Sequence, residues 1–322
     1  MTAHVRLSVL SLVGLLAVLA GACHEPLRPP YIVPELHNWP ETYRGTPGLR
    51  LHVFQTGWLT LPSRLVYEGG SVFGRTQLDV LVFAIQHPDQ GLVLVGAGLN
   101  RALADSSADG PQTYLEIPLS VIGRARLDSG QDIVAQLEDA RLSADGPTHV
   151  ILPDLRPDHA GELEHFSEAV AVVSRAEHAA ALGQTGLGAY LPKEYDQVTR
   201  WRFIDFGQAE PLGLLAAAQD VFGDGSLVVL DASGMTAGGL AVLVRLPSGP
   251  VLLCGNLAWT RQQYVYTRLP GLAFDRSAWW DKIWRVKKWS QLAPELTVLP
   301  DHDWRTVEER ATADMQLHVF EE

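Results

Sequence analysis

The sequence predicts an α/β fold, a layered sandwich of two sheets with helices on the outer faces. Three observations carry this. Apolar runs of strand length recur between turns from Leu51 onward. Each half of the chain closes its strands with helical patterns. The second half then repeats the plan of the first. With 322 residues, 47% of them hydrophobic, the chain can bury the core of one large domain, read here as residues 49–322. Its formal net charge is -12 and it has no basic stripe. That argues against nucleic acid as a partner, because phosphate binding needs clustered Lys and Arg.

The N-terminus reads as a secretory signal over residues 1–22. Arg6 precedes an apolar run from Leu7 to Ala20, and small residues lead into Cys23. The run is shorter than the roughly 20 residues of a membrane span. Leu19 to Cys23 is similar to a bacterial lipobox, with alanine in place of leucine three positions before the cysteine. Cys23 is then the lipidated first residue of the mature protein, and the membrane is its partner. The alternative is an ordinary cleaved signal with an incidental cysteine. Position 24 is His, without the aspartate that favours inner-membrane retention, so the expected location is periplasmic or cell-surface, on the outer membrane. Residues 23–48 are proline-rich and read as a tether. Cys254, the only other cysteine, sits in an apolar run as a core residue, so no disulfide is expected.

The elements follow in order. Leu51 to Phe54, Leu65 to Tyr67, Leu78 to Ile85 and Leu92 to Val95 read as strands, the last two as a hairpin across Asp89 to Gly91. Ser129 looks like a helix cap with Asp132 three places on, and Ile133, Val134 and Leu137 form the apolar face behind it. Val150 to Leu152 is a buried strand that delivers a proline-punctuated loop carrying Asp154, Arg156, Asp158 and His159. Ala169 to Val173 is a strand, Arg175 to Leu182 a helix, and Trp201 to Phe206 a strand. Two hairpins follow, Val221 to Leu230 around Gly223 to Gly225, and Leu240 to Cys254 around Pro247 to Pro250. Asp275 to Leu292 is a helix with Ile283, Trp284, Val286 and Trp289 available for burial. Leu296 to Leu299 is a strand leading to Asp301, His302 and Asp303, and Trp304 to Met315 is a last helix.

An Asp-His pair on a loop leaving a strand is a common place to hold a metal or a reacting water. Arg156 in the same loop cannot be a ligand, since a guanidinium has no acceptor and keeps its charge. Taken alone, His302 reads as a loop histidine, and Met235 as core or pocket filling.

The motifs Asp158 to Gly161, Phe222 to Ser226, Gly234 to Gly238, Leu253 to Asn256 and Pro300 to His302 follow one another along the chain. In this order they resemble the metallo-beta-lactamase superfamily, and most of all its N-acyl homoserine lactonase branch. Gly130 to Leu137 followed by Thr148 to Leu152 looks like the same branch. The resemblance spans roughly residues 50–322 and implies a four-layer αβ/βα sandwich. It also implies a dinuclear site, usually zinc, built on a His-x-His-x-Asp-His loop.

Carried over by position, the first and second histidines of that loop fall on Asp154 and Arg156, while its Asp-His pair is kept as Asp158 and His159. The histidine of a later glycine-rich turn falls on Met235. The bridging aspartate falls on Asn256, and the last histidine is kept as His302. A supporting Asp-Thr-Gly turn falls on Gly96 to Gly98, and a substrate-assisting tyrosine on Trp259.

The changes gather at one metal position. A guanidinium would repel a dication, and a thioether suits soft metals rather than hydrolytic zinc. A dinuclear centre is therefore not expected. Asp158, His159 and His302 remain a workable set for one divalent metal, zinc foremost, with Asn256 offering a weak amide oxygen. Two cofactor states follow, none or one metal. Without metal, Arg156 pairs with Asp154 or Asp158, and Asp158 and His159 form a hydrogen-bonded pair. The leading expectation is a membrane-anchored pseudo-hydrolase, non-catalytic or weakly active, with a binding or structural role and an unidentified small-molecule ligand. The alternative is a single-metal hydrolase of lactones or esters with Asp158 as base.

Overall fold

The computed structural model describes residues 27–33, 35–104, 114–115, 123–142, 146–183 and 190–320. The expected signal segment and Cys23 lie outside the described residues.

Strand β1 (Arg50–Pro62) is much longer than the expected Leu51 to Phe54. It pairs antiparallel with β2 (Arg75–His87) across a register shift between Gln55 and Trp58. Gly57 sits at that shift with φ 116°, and a Cβ there would meet the carbonyl oxygen of Arg126 at 2.5 Å. Between the two strands, Leu65 to Tyr67 was expected as a strand. The structure instead makes one helical turn, α1 (Ser63–Val66), closed by Tyr67 N donating to the Ser63 carbonyl at 2.9 Å. A short apolar run does not distinguish the two states by periodicity, and here the chain must reverse.

The hairpin to β3 (Gly91–Val95) forms as expected. A short β4 (Arg124–Arg126) pairs with the second half of β1. Helix α2 (Ile133–Asp139) is capped by Asp132, whose carboxylate accepts from Ala135 N, and not by Ser129. The acidic residue is itself the good cap and begins the helix three residues later than expected.

Strands β5 (Pro147–Ile151), β6 (Val170–Ser174) and β7 (Trp201–Ile204) then add in parallel beyond β3. Two helices connect them. Helix α3 (Pro157–Ala160) is a single turn, and α4 (Arg175–Leu182) is capped by Ser174.

The second sheet runs β8 (Glu210–Leu212), β9 (Leu215–Asp220), β10 (Leu227–Asp231), β11 (Leu240–Leu246) and β12 (Gly249–Leu253), all antiparallel neighbours. After α5 (Arg261–Val265) and α6 (Arg276–Leu292), strand β13 (Thr297–Leu299) joins parallel to β12. The last helix, α7 (Trp304–Arg310), is shorter than expected. The residues after it form β14 (Met315–His318), which returns to the first sheet parallel to β1, with Leu51 opposite Met315. The need to cover that sheet edge overrides helical continuation.

The apolar faces of the two sheets meet in a central core that includes Leu51, Phe83, Val229 and Val242. A second core lies between the first sheet and helices α2 and α4, and a third between the second sheet and α6, where Trp279 and Trp289 are fully buried. This is the expected order of helix, sheet, sheet, helix.

The segment expected as a free tether is in contact with the domain in its described part. His37 pairs with Gly213 through both backbone groups, and Trp39 packs edge-on against Trp289 with ring centres 5.0 Å apart. Ile32, Leu36 and Trp39 supply the apolar contacts that the proline content obscures. Among the described residues no helix is long and apolar enough to cross a membrane.

Candidate functional site

The site is built at the ends of β5, β12 and β13. Strand β5 runs into Leu152 and Pro153, and the loop that follows is buried at Asp154, Leu155, Asp158 and His159. Pro157 opens α3 and holds Arg156 in an extended conformation before it. Gly161 lets this turn lie flat against the segment after β3. A Cβ there would stand 2.4 Å from both Asn100 N and the Gly98 carbonyl oxygen. Asn256 comes from the turn after β12, and Asp301 and His302 from the loop after β13.

These elements bring together Asp154, Arg156, Asp158, His159, Asn256, Trp259 and His302. The fully buried carboxylate of Asp154 is the hub. Its Oδ2 accepts from Arg156 Nε at 3.0 Å and from Asn256 Nδ2 at 2.7 Å. Its Oδ1 accepts from His159 Nδ1 at 2.8 Å and from Arg156 N at 3.1 Å. His159 Nε2 reaches Asp301 Oδ2 at 2.6 Å, so the ring is clamped between two buried carboxylates.

His302 donates from Nδ1 to the Asp79 carbonyl oxygen at 2.6 Å. Its Nε2 faces Asp158 Oδ2 and Asn256 Oδ1, each at 3.3 Å. The expected Asp158–His159 hydrogen bond is therefore replaced by an Asp158–His302 contact. Consecutive side chains on a helical turn do not face each other.

Charge follows this geometry. Burial alone would raise the Asp154 carboxyl, yet Arg156 and His159 beside it hold it down at about 2. Burial also opposes ionisation of Asp158, and His159, His302 and Arg156 reverse that and hold it far below the usual carboxylate range. Against its own burial, His159 is raised well above an ordinary histidine by Asp301, Asp154 and Asp158. His302 is raised too, its burial outweighed by Asp158 and Asp301. A carboxylate held so far below neutrality is a weak proton acceptor, which counts against Asp158 as a general base.

Met235 is buried in the core under α6. Trp259 lies against both halves of the site. Its ring centre is 5.8 Å from the Arg156 guanidinium carbon and 6.0 Å, edge to face, from His302. Two site residues escaped the sequence reading. Asp301 stands in the sequence only as a neighbour of His302, and that adjacency is the available signal. Glu177, buried on α4, accepts from Tyr190 OH and Gly238 N and has no motif to mark it.

As a metal site the residues divide. Asp158, His159 and His302 each offer a ligand atom, and these atoms lie within 4.8 Å of one another. His302 turns Nε2 toward Asp158 while its Nδ1 is held by an oxygen acceptor, the arrangement that prepares imidazole for a metal. His159 has both nitrogens held by carboxylates, so the three residues could hold one divalent ion only with His159 Nε2 released from Asp301. Asp154, Arg156 and Met235 do not fit a second, because Arg156 supplies a positive charge directly on Asp154.

The model of the metallo-beta-lactamase superfamily matches residues 75–302. The N-acyl homoserine lactonase AttM of Rhizobium radiobacter is 26% identical over 261 residues, covering 79% of this chain and 93% of the relative. AttM of Rhizobium johnstonii is 26% identical over 227 residues, covering 69% and 81%. Among solved structures, AiiA of B. thuringiensis with N-decanoyl-L-homoserine bound at the active site superposes with TM-score 0.65 at 18% identity, covering 82% of this chain and 97% of that one. AidC, a dizinc quorum-quenching lactonase, gives TM-score 0.54 at 13% identity over 80% and 89%.

Proposed function

The chain belongs to the metallo-beta-lactamase superfamily, and on that premise we propose that it is a membrane-anchored pseudo-hydrolase whose dinuclear centre has decayed. One observation carries the reading. The guanidinium of Arg156 is ion-paired at 3.0 Å with the buried Asp154, at the two positions where the family's loop carries its first two histidines. Organic charge there does what a dication would otherwise do, holding Asp154 ionised inside the protein. Asn256 supports the same reading. Its amide donates to Asp154, whereas an aspartate at that position would add another carboxylate.

Hydrolysis assays test it. Purified full-length protein supplied with zinc is expected to leave N-acyl homoserine lactones and simple esters intact. The combined change Asp154→His, Arg156→His, Met235→His and Asn256→Asp is expected to restore metal binding and turnover together. Lactone turnover by the unaltered chain at the rate of its relatives would overturn the reading. For the anchor, Cys23→Ala is expected to move the protein from the membrane fraction to the soluble fraction. Unchanged fractionation would remove the lipid.

A second reading is favoured by the convergence of Asp158, His159 and His302 within 4.8 Å. These residues would hold a single divalent ion, which when bound supplies Lewis acidity and an acidified water. In that reading the chain's own residues orient an acyl substrate against Trp259, while Asp79 and Asp154 fix the two imidazoles.

A further inference from the structure

The large apolar side chains left on the surface gather in one region. Val72 and Phe73, on the loop between α1 and β2, are exposed, Phe73 at 94%. Tyr266 and Phe274, on the chain between α5 and α6, are exposed as well, Tyr266 at 73%. Backbone and side-chain contacts join these two loops into one face. Glu68 N donates to the Leu269 carbonyl at 2.9 Å, Gly271 lies against the Arg64 backbone, and Arg276 Nη2 donates to the Glu68 carboxylate at 2.8 Å. Single apolar residues are ordinary on a surface, whereas a cluster of them marks a place that something covers.

The N-terminal segment arrives at the same face. One turn along α6 from Arg276, Trp280 Nε1 donates to the Arg28 carbonyl at 2.8 Å, and Ile32 packs against the core beneath α6. Tyr31, between them, is 89% exposed. Arg28 is five positions after Cys23. Five residues of fully extended chain span at most roughly 18 Å. A lipid on Cys23 therefore keeps this face, and not α4 on the opposite outer layer, beside the bilayer. The chain has a net charge of -12, yet here Arg28, Arg268 and Arg276 stand against Glu68 and Asp275, so the face does not repel anionic headgroups as the whole chain would.

We infer that this face is a bilayer-docking surface. Phe73, Tyr266 and Phe274 sit among the lipid headgroups and fix the orientation of a domain that the lipid alone would only tether. Aromatic rings settle at the membrane–water interface, and stable attachment takes a second contact beside a lipid chain. The inference rests on the reading that Cys23 is lipidated.

Full-length protein in vesicles of phosphatidylcholine and phosphatidylglycerol, with a quencher at headgroup level, tests this. A fluorophore is attached through Phe73→Cys or, as control, through Leu182→Cys at the exposed end of α4. Cys254 is buried and does not compete for the label. The mass of the N-terminal peptide reports the lipid independently. Quenching at position 73 is expected to exceed that at position 182 by at least about threefold. Adding Tyr266→Ser and Phe274→Ser to the Phe73→Cys protein removes all three rings and is expected to bring the two positions level. Equal quenching without those changes, in a protein that carries the acyl mass, overturns this inference alone. A peptide without acyl mass, in a protein that leaves the vesicles, overturns the anchor and this inference with it. A dimer of the Cys23→Ala protein that dissociates on Phe73→Ser and Phe274→Ser would put a second copy on the face and overturn the bilayer as its occupant.

Discussion

The two halves of the site have opposite character. Around Asp154 every polar contact is closed internally: Arg156, Asn256 and His159 surround one carboxylate inside the protein. Around Asp158 and His302 the side chains line a cavity, and the His302 Nε2 contacts are long, at 3.3 Å. The first half looks like a structural ion network, and the second like a site still shaped to receive something. A buried carboxylate is thus kept ionised without a metal when a basic side chain and further donors surround it.

The sharpest way to break this comparison is His159→Ala. It removes the group between Asp154 and Asp301 and leaves buried carboxylates short of a partner, so urea unfolding should show a loss of about 3–5 kcal/mol. A loss under about 1 kcal/mol would mean that water reaches these carboxylates and the half is not closed. Arg156→Met should cost less, about 1.5–3 kcal/mol, because Asp154 keeps Asn256 and His159. His302→Ala, on the open half, should cost about 1–2 kcal/mol, since the cavity admits water to Asp158. Equal losses for His159→Ala and His302→Ala would erase the distinction.

An effect of similar size lies in the pH dependence. The Asp154 carboxyl sits at about 2 in the fold against an ordinary value of 3.8. Its contribution is therefore present above 3.8 and disappears as pH falls through about 2. Roughly 2 kcal/mol of stability should be lost over that window by denaturant titration. His159 has the opposite sign. Its folded value is raised, so its contribution is complete below 6.5 and fades only as pH rises through the higher folded value. Asp154→Asn should flatten the acid limb.

Much of the fold was legible because apolar runs and turns coincide. The hairpin β2–β3, the hairpin β11–β12 and helix α6 lie within a few residues of expectation. What escaped depends on distant partners. The continuation of β1 to Pro62 is read only against β2 and β4, and β14 exists because β1 needs a neighbour. At the site, Asp154, Arg156, Asp158, His159, Asn256 and His302 could be placed from motif order. Their pairing could not, because whether His159 faces Asp158 or Asp301 is settled by a loop 142 residues away.

The central claim is that one organic cation stands where the family keeps a metal. Elemental analysis of the purified full-length protein, after incubation with zinc and removal of loose metal, tests it most directly. The account predicts no stoichiometric zinc, iron or manganese in the unaltered chain, and bound metal once Asp154, Arg156, Met235 and Asn256 are changed together as above. One equivalent in the unaltered chain that disappears in His159→Ala and in His302→Ala would contradict it.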